Sequence, residues 1–394
     1  MVLLQTVVVG AKIVQITDEI KTYMRRSIIV ILLFPVLIVG CKKPDVVEQA
    51  PIDWGSRVTT DKIEEVLQID TILPVSPNGC FIANYDKTMM DGKTVYVLDK
   101  MQNAIFAVDT ESSLVMKLID KRGSAQNEYV GISDFSLGHD GTLWVFDSDS
   151  RKVNVYGDDG TYVKSMKVSC GSSLAVSRDG SVAISCNKND DEAAIRVYDK
   201  DGNPTTSFQD DSGFPYTIEE LGGVAATDDG FIYSIPFEYK IHCIEDGRKR
   251  TMAYFDCGEK TFDTGSMVGQ DYRHFLKSIM SSKDKVMRFD HLCQYDRYIT
   301  ISTDIADQLL YDMKKDSVLV LSNAKMPYCL IFQTPLALGE QGDFCTILSS
   351  TDVDEALRPW LKSSQRSYGK LSPVLDGNNI GREYACWIVL GHFI

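Results

Sequence analysis

The 394-residue chain reads as an all-β protein, a six-bladed β-propeller with four-stranded blades, and three observations lead there. Short apolar runs of strand type alternate with Asp-Gly and similar turns, the pattern of successive hairpins. One unit recurs along the chain: a strand, an Asp-Gly turn, a strand rich in aromatic and β-branched residues, then another strand ending in Asp. The turn glycines Gly92, Gly141, Gly180 and Gly230 are spaced 49, 39 and 50 residues apart, close to the roughly 40–50-residue period of propeller blades.

The clearest copy runs from Phe135 through Asp140-Gly141 to Asp147, then through Lys152–Tyr156 and Tyr162–Met166. Related copies are Thr94–Asp99 with Ala104–Asp109, Leu174–Ser185 with Ile195–Asp199, and Val224–Ile235 with Lys240–Ile244. Two fainter units follow, Asp296–Thr303 with Gln308–Asp312, and Gly342–Leu348 with the terminal Tyr384–Phe393. A ring of blades needs its last sheet completed from the other end of the chain, which removes the exposed edge. Glu65–Leu73 is the N-terminal strand suited to that place.

Two short helical insertions interrupt the strands. Tyr272–Met280, within an insertion of about 262–285, has apolar residues at helical spacing. A second helix is expected near Thr351, with Thr351 as its cap and Asp352, Asp354 and Glu355 at the positive end of the dipole. Pro359 should end or kink it.

The N-terminus carries an export signal. About a dozen apolar residues, Ile28–Val39, follow Arg25 and Arg26. A spanning helix needs about 20, whereas a basic segment, a short apolar stretch and a small residue describe a signal peptide. Met24 precedes the arginines directly and reads as the start of a signal of ordinary design. The expected organisation is 1–40 signal peptide, 41–57 lipidated N-terminus and tether, and 58–394 propeller.

Without residues 1–40 the chain loses Lys12, Lys21, Arg25, Arg26, Asp18 and Glu19, leaving 37 basic against 53 acidic residues, a net −16. Such a surface repels polyanions, and Lys42-Lys43 and Arg248-Lys249-Arg250 are too small to neutralise a phosphate backbone. Nucleic acid is therefore not an expected partner. Nine cysteines besides Cys41 form no CxxC pair and no Cys/His metal spacing, so mostly free, buried thiols are expected.

Leu37-Ile-Val-Gly-Cys41 resembles the lipobox of bacterial lipoproteins, which implies acylation of Cys41 and a membrane anchor. Lys121-Arg-Gly-Ser-Ala-Gln-Asn-Glu-Tyr129, before Ile132–Phe135, resembles the Arg-Gly-x-Gly-Pro-x-Glu-Tyr connection of the six-bladed, TolB-like and NHL-like β-propeller lipoproteins of gut Gram-negative anaerobes. Ala125 and Gln126 replace that pattern's second Gly and its Pro. The resemblance covers about 61–394 and implies an outer-membrane lipoprotein of the cell envelope.

No nucleophile elbow, phosphate-cradling loop or His-Glu-x-x-His motif is present. His139, His242, His274, His291 and His392 are scattered among blades, and the strand-ending Asp109, Asp147, Asp199 and Asp256 read as turn caps. Trp144 and Phe146 read as packing between blades, and Glu128 and Tyr129 as a blade-to-blade brace. The aromatics Phe214, Tyr216, Phe237, Tyr239 and Tyr272, with Arg273 and His274, are the candidate ligand-binding residues, since exposed rings stack on sugars or peptide side chains. The expected function is an envelope-anchored binding or scaffold module taking a carbohydrate, peptide or protein partner on one propeller face. The competing expectation is a Ca²⁺-dependent hydrolase or lyase with Asp, Asn and Glu ligands in the central channel. No cofactor beyond that Ca²⁺ is expected.

Overall fold

The structure is a computed structural model. It describes residues 52–53, 60–169, 171–186, 193–209, 214–216, 218, 223–321, 327–332, 334–339, 341–364 and 384–394. Cys41 and the signal segment lie outside them.

Six antiparallel sheets follow one another along the body. Two strands precede the first complete blade: β1 (Ile52–Asp53) and β2 (Leu67–Val75). Blade 1 comprises β3 (Lys87–Asp91), β4 (Thr94–Asp99), β5 (Ala104–Asp109) and β6 (Leu114–Ile119). Blade 2 comprises β7 (Asp134–Leu137), β8 (Leu143–Asp147), β9 (Lys152–Tyr156) and β10 (Tyr162–Lys167). Blade 3 holds β11 (Ser173–Val176), β12 (Val182–Ser185), β13 (Ala193–Tyr198) and β14 (Pro204–Gln209). Blade 4 holds β15 (Val224–Thr227), β16 (Gly230–Ser234), β17 (Lys240–Glu245) and β18 (Arg248–Asp256). Blade 5 holds β19 (Phe289–Tyr295), β20 (Tyr298–Thr303), β21 (Gln308–Asp312) and β22 (Ser317–Val320). Blade 6 holds β23 (Ala337–Leu338), β24 (Asp343–Leu348) and β25 (Cys386–Phe393).

The sixth blade is completed by β2, which pairs antiparallel with β25 from Leu67↔Phe393 to Val75↔Cys386. The closing strand expected from the sequence is therefore in place. Blade 4 also gains a fifth strand that the sequence did not announce: β1 runs parallel to β18, pairing Ile52 with Phe255 and Asp53 with Asp256.

The core is divided into wedges between neighbouring sheets. Trp144, Phe146 and Val153 of blade 2 meet Leu174, Ile184 and Tyr198 of blade 3, as the sequence led us to expect for Trp144 and Phe146. Val97, Phe106 and Val108 of blade 1 meet Cys345, Ile347 and Ile388 of blade 6, so the last sheet packs on the first. The innermost strands β3, β7, β11, β15, β19 and β23 each touch the next, and β23 touches β3. They enclose a central channel.

The recurring aspartates hold turns. Asp109 accepts from the amides of Glu111 and Ser112, Asp199 from those of Asp201 and Asn203, and Asp256 from that of Gly258. Gly230 needs to be glycine: its φ is 156° and a Cβ there would collide with the Ile244 carbonyl across the hairpin.

Helix α1 (Tyr272–Ser281) forms where expected, and the Asp271 side chain caps it by accepting from the His274 amide at 2.8 Å. The later helix differs in its cap. Ser349, not Thr351, is the N-cap, in a reciprocal capping box with Asp352. Pro359 neither ends this helix nor leaves it regular. A π-helical segment, Val353–Leu357, precedes the final turns Arg358–Ser364, and the widened turn accommodates a residue with no N–H to donate.

Among the described residues seven cysteines are free thiols: Cys80, Cys243, Cys257, Cys293, Cys329, Cys345 and Cys386. Burial raises the thiol of Cys243 to about 11 and those of Cys257 and Cys386 to about 12, which leaves them unreactive at neutral pH. Cys186, expected among the buried thiols, is disulfide-bonded.

Candidate functional site

The two faces of the ring are unequal. Where the innermost strands end, the turns are hairpins of two to five residues, such as 92–93, 138–142 and 339–342. Where the innermost strands begin lie all the blade-to-blade connections, including 76–86, 120–133 and 257–288, and the helical excursion after β24. This long-loop face surrounds one mouth of the channel.

Two buried carboxylates at that mouth, Asp134 and Asp290, are each paired with a cation. Asp134 at the start of β7 is fully buried, and its Oδ1 lies 2.8 Å from Lys87 Nζ of blade 1. Its Oδ2 accepts from the Leu174 amide of blade 3 at 2.9 Å. One carboxylate thus joins three blades. Across the ring, Arg288 Nε lies 2.7 Å from Asp290 Oδ2, and Ser234 Oγ donates to the Phe289 carbonyl at 2.7 Å.

His291 stands on a β-bulge of innermost strand β19, where register slips between Asp290 and Cys293 and its φ is 47°. Burial, then the charges of Lys87, Arg288 and Lys100, lower its imidazole to about 3. The ring is therefore neutral in the fold at pH values where the unfolded chain, near its ordinary 6.5, takes a proton. Protonation below 6.5 favours the unfolded state, so stability declines as pH falls from about 6.5 towards 3, at about 1.4 kcal/mol per pH unit for one proton. Replacing His291 by Gln should remove one proton's worth of that slope, read from denaturation midpoints at pH 6 and pH 4. An unchanged slope would place the imidazole in water.

The structure brings the sequence candidates together but divides their roles. Phe214 and Phe237 are buried, not exposed as expected, and form a satellite core with Phe262, Met267, Phe275 and Met287. Phe214 and Phe237 centroids lie 4.9 Å apart, and Tyr216 stacks on Phe275 at 4.7 Å. Phe237 and Tyr239 both have positive φ, at 68° and 56°. Backbone partners hold them there: Phe237 N donates to the Met287 carbonyl at 2.7 Å, and Tyr239 O–H donates to that of Val286 at 2.9 Å. Burial pushes the Tyr239 phenol well above its ordinary range. These four residues fasten the insertion to blade 4. Tyr272, Arg273 and His274 remain exposed on α1.

A patch that sequence reasoning missed lies on the loops of blades 1 and 2. Phe81 is 68% exposed, Met101 73% and Val130 45%. Their loops are pinned. Asp99 accepts from the Ala83 and Asn84 amides at 2.6 and 3.2 Å, and the Gln102 side-chain amide donates to the Phe81 carbonyl. Asn103 donates to the Val130 carbonyl at 3.1 Å, while the Val130 amide donates to Asp147 at 2.7 Å. The only advance signal was Met101, an apolar residue in the otherwise polar turn 100–103, whereas Phe81 and Val130 stand next to the buried Ile82 and Tyr129 and read as core.

The Glu128–Tyr129 segment is the brace the sequence suggested. Tyr129 is buried, and its hydroxyl donates to the Asn103 carbonyl at 2.9 Å and accepts from the Lys121 amide at 3.0 Å. Glu128 folds beneath Gly123, where any Cβ would collide with its carboxylate, and accepts from the Ala125 amide at 2.8 Å.

Among the described residues, no group of three or more His, Cys, Asp or Glu side chains is placed to hold a metal ion. The mouth carboxylates Asp134 and Asp290 face Lys87 and Arg288 instead. No described helix is long and apolar enough to cross a membrane.

The model of a family described as a six-bladed β-propeller, DUF5128, matches residues 47–324. The chain belongs to the DUF5128 family. Among solved structures, this DUF5128 chain is similar to a Bacteroides fragilis protein assigned as exported, with TM-score 0.62 and 13% identity over 86% of this chain and 99% of that one. It is also similar to a member of the DUF4221 family from Bacteroides vulgatus, with TM-score 0.50 and 9% identity over 83% and 97% of the two chains. At these identities the likeness establishes the fold alone. No curated protein matches the DUF5128 chain.

Proposed function

We propose that this propeller is an exported, envelope-anchored lipoprotein of the outer membrane, held by acylated Cys41, whose long-loop face binds a partner without transforming it. Of carbohydrate, peptide and protein partners, the face suits an apolar peptide or protein segment best. The observation that carries this reading is the exposed trio Phe81, Met101 and Val130, fixed by Asp99, Gln102, Asn103 and Asp147 before any partner arrives. Exposed apolar side chains on neighbouring, ordered loops suit recognition of an apolar segment, and preordering removes part of the entropy that binding opposes.

A photo-crosslinking residue placed at Met101 should give a discrete adduct in cell envelopes, whereas one at Asp159, on the hairpin face, should give none. With the adduct identified, Phe81→Ser combined with Met101→Ser should weaken binding at least about tenfold while leaving the melting temperature unchanged. Adducts from Asp159 alone, or glycan binding insensitive to both substitutions, would defeat the reading.

A further inference from the structure

The insertion after blade 4 presents a second apolar surface, separate from the trio. On α1, Tyr272, Leu276 and Met280 are 51%, 41% and 74% exposed. Their i, i+4, i+8 spacing places them in one stripe, beside the buried Phe275 that holds the helix to the satellite core. At 100° per residue, Arg273 and Lys277 border the stripe on its solvent side. Both are exposed, and α1 contains no acidic residue. Among the described residues, neither cation is in an ion pair. In a chain of net charge −14 this is a local reversal of sign.

From these features we infer that the outer face of α1 docks on the anionic headgroup surface of the bilayer to which Cys41 is anchored. An apolar stripe bordered by Lys and Arg is the pattern of helices that lie in a membrane interface. Chain geometry selects the membrane over other occupants. The tether joins the fold at Ile52–Asp53, paired with Phe255–Asp256, the last two residues before the insertion that carries α1. Eleven peptide steps separate Cys41 from Ile52, which limits their separation to about 40 Å. An anchor at Cys41 would thus hold the bilayer within about 40 Å of the strand that leads towards this helix. The inference rests on the lipoprotein reading, and α1 would then set which way the propeller faces.

The test uses residues 42–394, which contain every core cluster described above and lack the anchor. Sedimentation with phosphatidylcholine vesicles, with and without phosphatidylglycerol, should show binding only where the anionic lipid is present, weakening as salt rises. Arg273→Gln and Lys277→Gln should each weaken it about fivefold, and Leu276→Ser with Met280→Ser roughly tenfold or more. Met116→Ser, exposed on the outer strand of blade 1, should leave it unchanged. Equal binding to neutral vesicles, no binding, or binding indifferent to the α1 substitutions would overturn the inference. So would self-association abolished by the same substitutions, which would assign the stripe to a second copy. The mass of the N-terminal peptide from membranes tests acylation of Cys41 separately, so failure of the anchor and failure of the helix are told apart.

Discussion

Replacing Asp134 by alanine is expected to destabilise the propeller by about 3–5 kcal/mol, the range for removing one partner of a buried ion pair. The side chain is fully buried, and Lys87, only 11% exposed, would keep its charge with no counter-ion at 2.8 Å. The Leu174 amide would lose its acceptor as well. Because these groups belong to blades 1, 2 and 3, the effect falls on the packing of sheets around the channel rather than on one sheet. Asp134→Asn keeps an acceptor for Leu174 and should cost less. Adding Lys87→Met to Asp134→Asn should recover part of the loss, since no isolated charge is then buried. Urea denaturation of the four proteins measures this, and a loss below about 1 kcal/mol for the alanine variant would show that the pair behaves as a solvated one.

The ring of blades was legible because its signals are local or recurrent. Gly92, Gly141 and Gly180 fall at positive-φ turns, and Asp109 and Asp199 cap turns in the same manner in different blades. Such positions announce themselves through repetition. The satellite core did not, because Phe214 meets Phe275 only after α1 folds back across blade 4, and nothing near either residue encodes that meeting. An aromatic side chain in a loop reads as exposed until its distant partner is known. The opposite error hid Phe81, which follows Cys80 and precedes buried Ile82 in a short apolar run. Asp99, holding the Ala83 and Asn84 amides, and Gln102, holding the Phe81 carbonyl, fix the loop with Phe81 outward. The fifth strand of blade 4 was equally hidden, since two residues of a polar tether carry no periodicity.

Gly391→Val is expected to unlatch the ring, with a loss of about 3 kcal/mol. Gly391 lies within β25, paired with Ile69 of β2 on one side and Phe344 of β24 on the other. A Cβ there would collide with the Gln68 carbonyl and with the Phe344 ring. The ring could turn, but the carbonyl belongs to the backbone of β2 and can yield only if that strand shifts. β2 supplies the edge of blade 6 and contributes Leu67, Ile69 and Ile72 to the same core as Trp387 and Val389, so the shift would spread beyond one contact. The melting temperature should fall by roughly 5 °C, and protease cleavage should appear first near β2. Gly247 provides the contrast: its φ is positive, at 69°, a conformation Asn tolerates, and nothing lies within 4 Å of a Cβ there. Gly247→Asn should therefore change stability by only a few tenths of a kcal/mol. If Gly391→Val proved equally harmless, β2 would not be the strand that holds the first and last blades together.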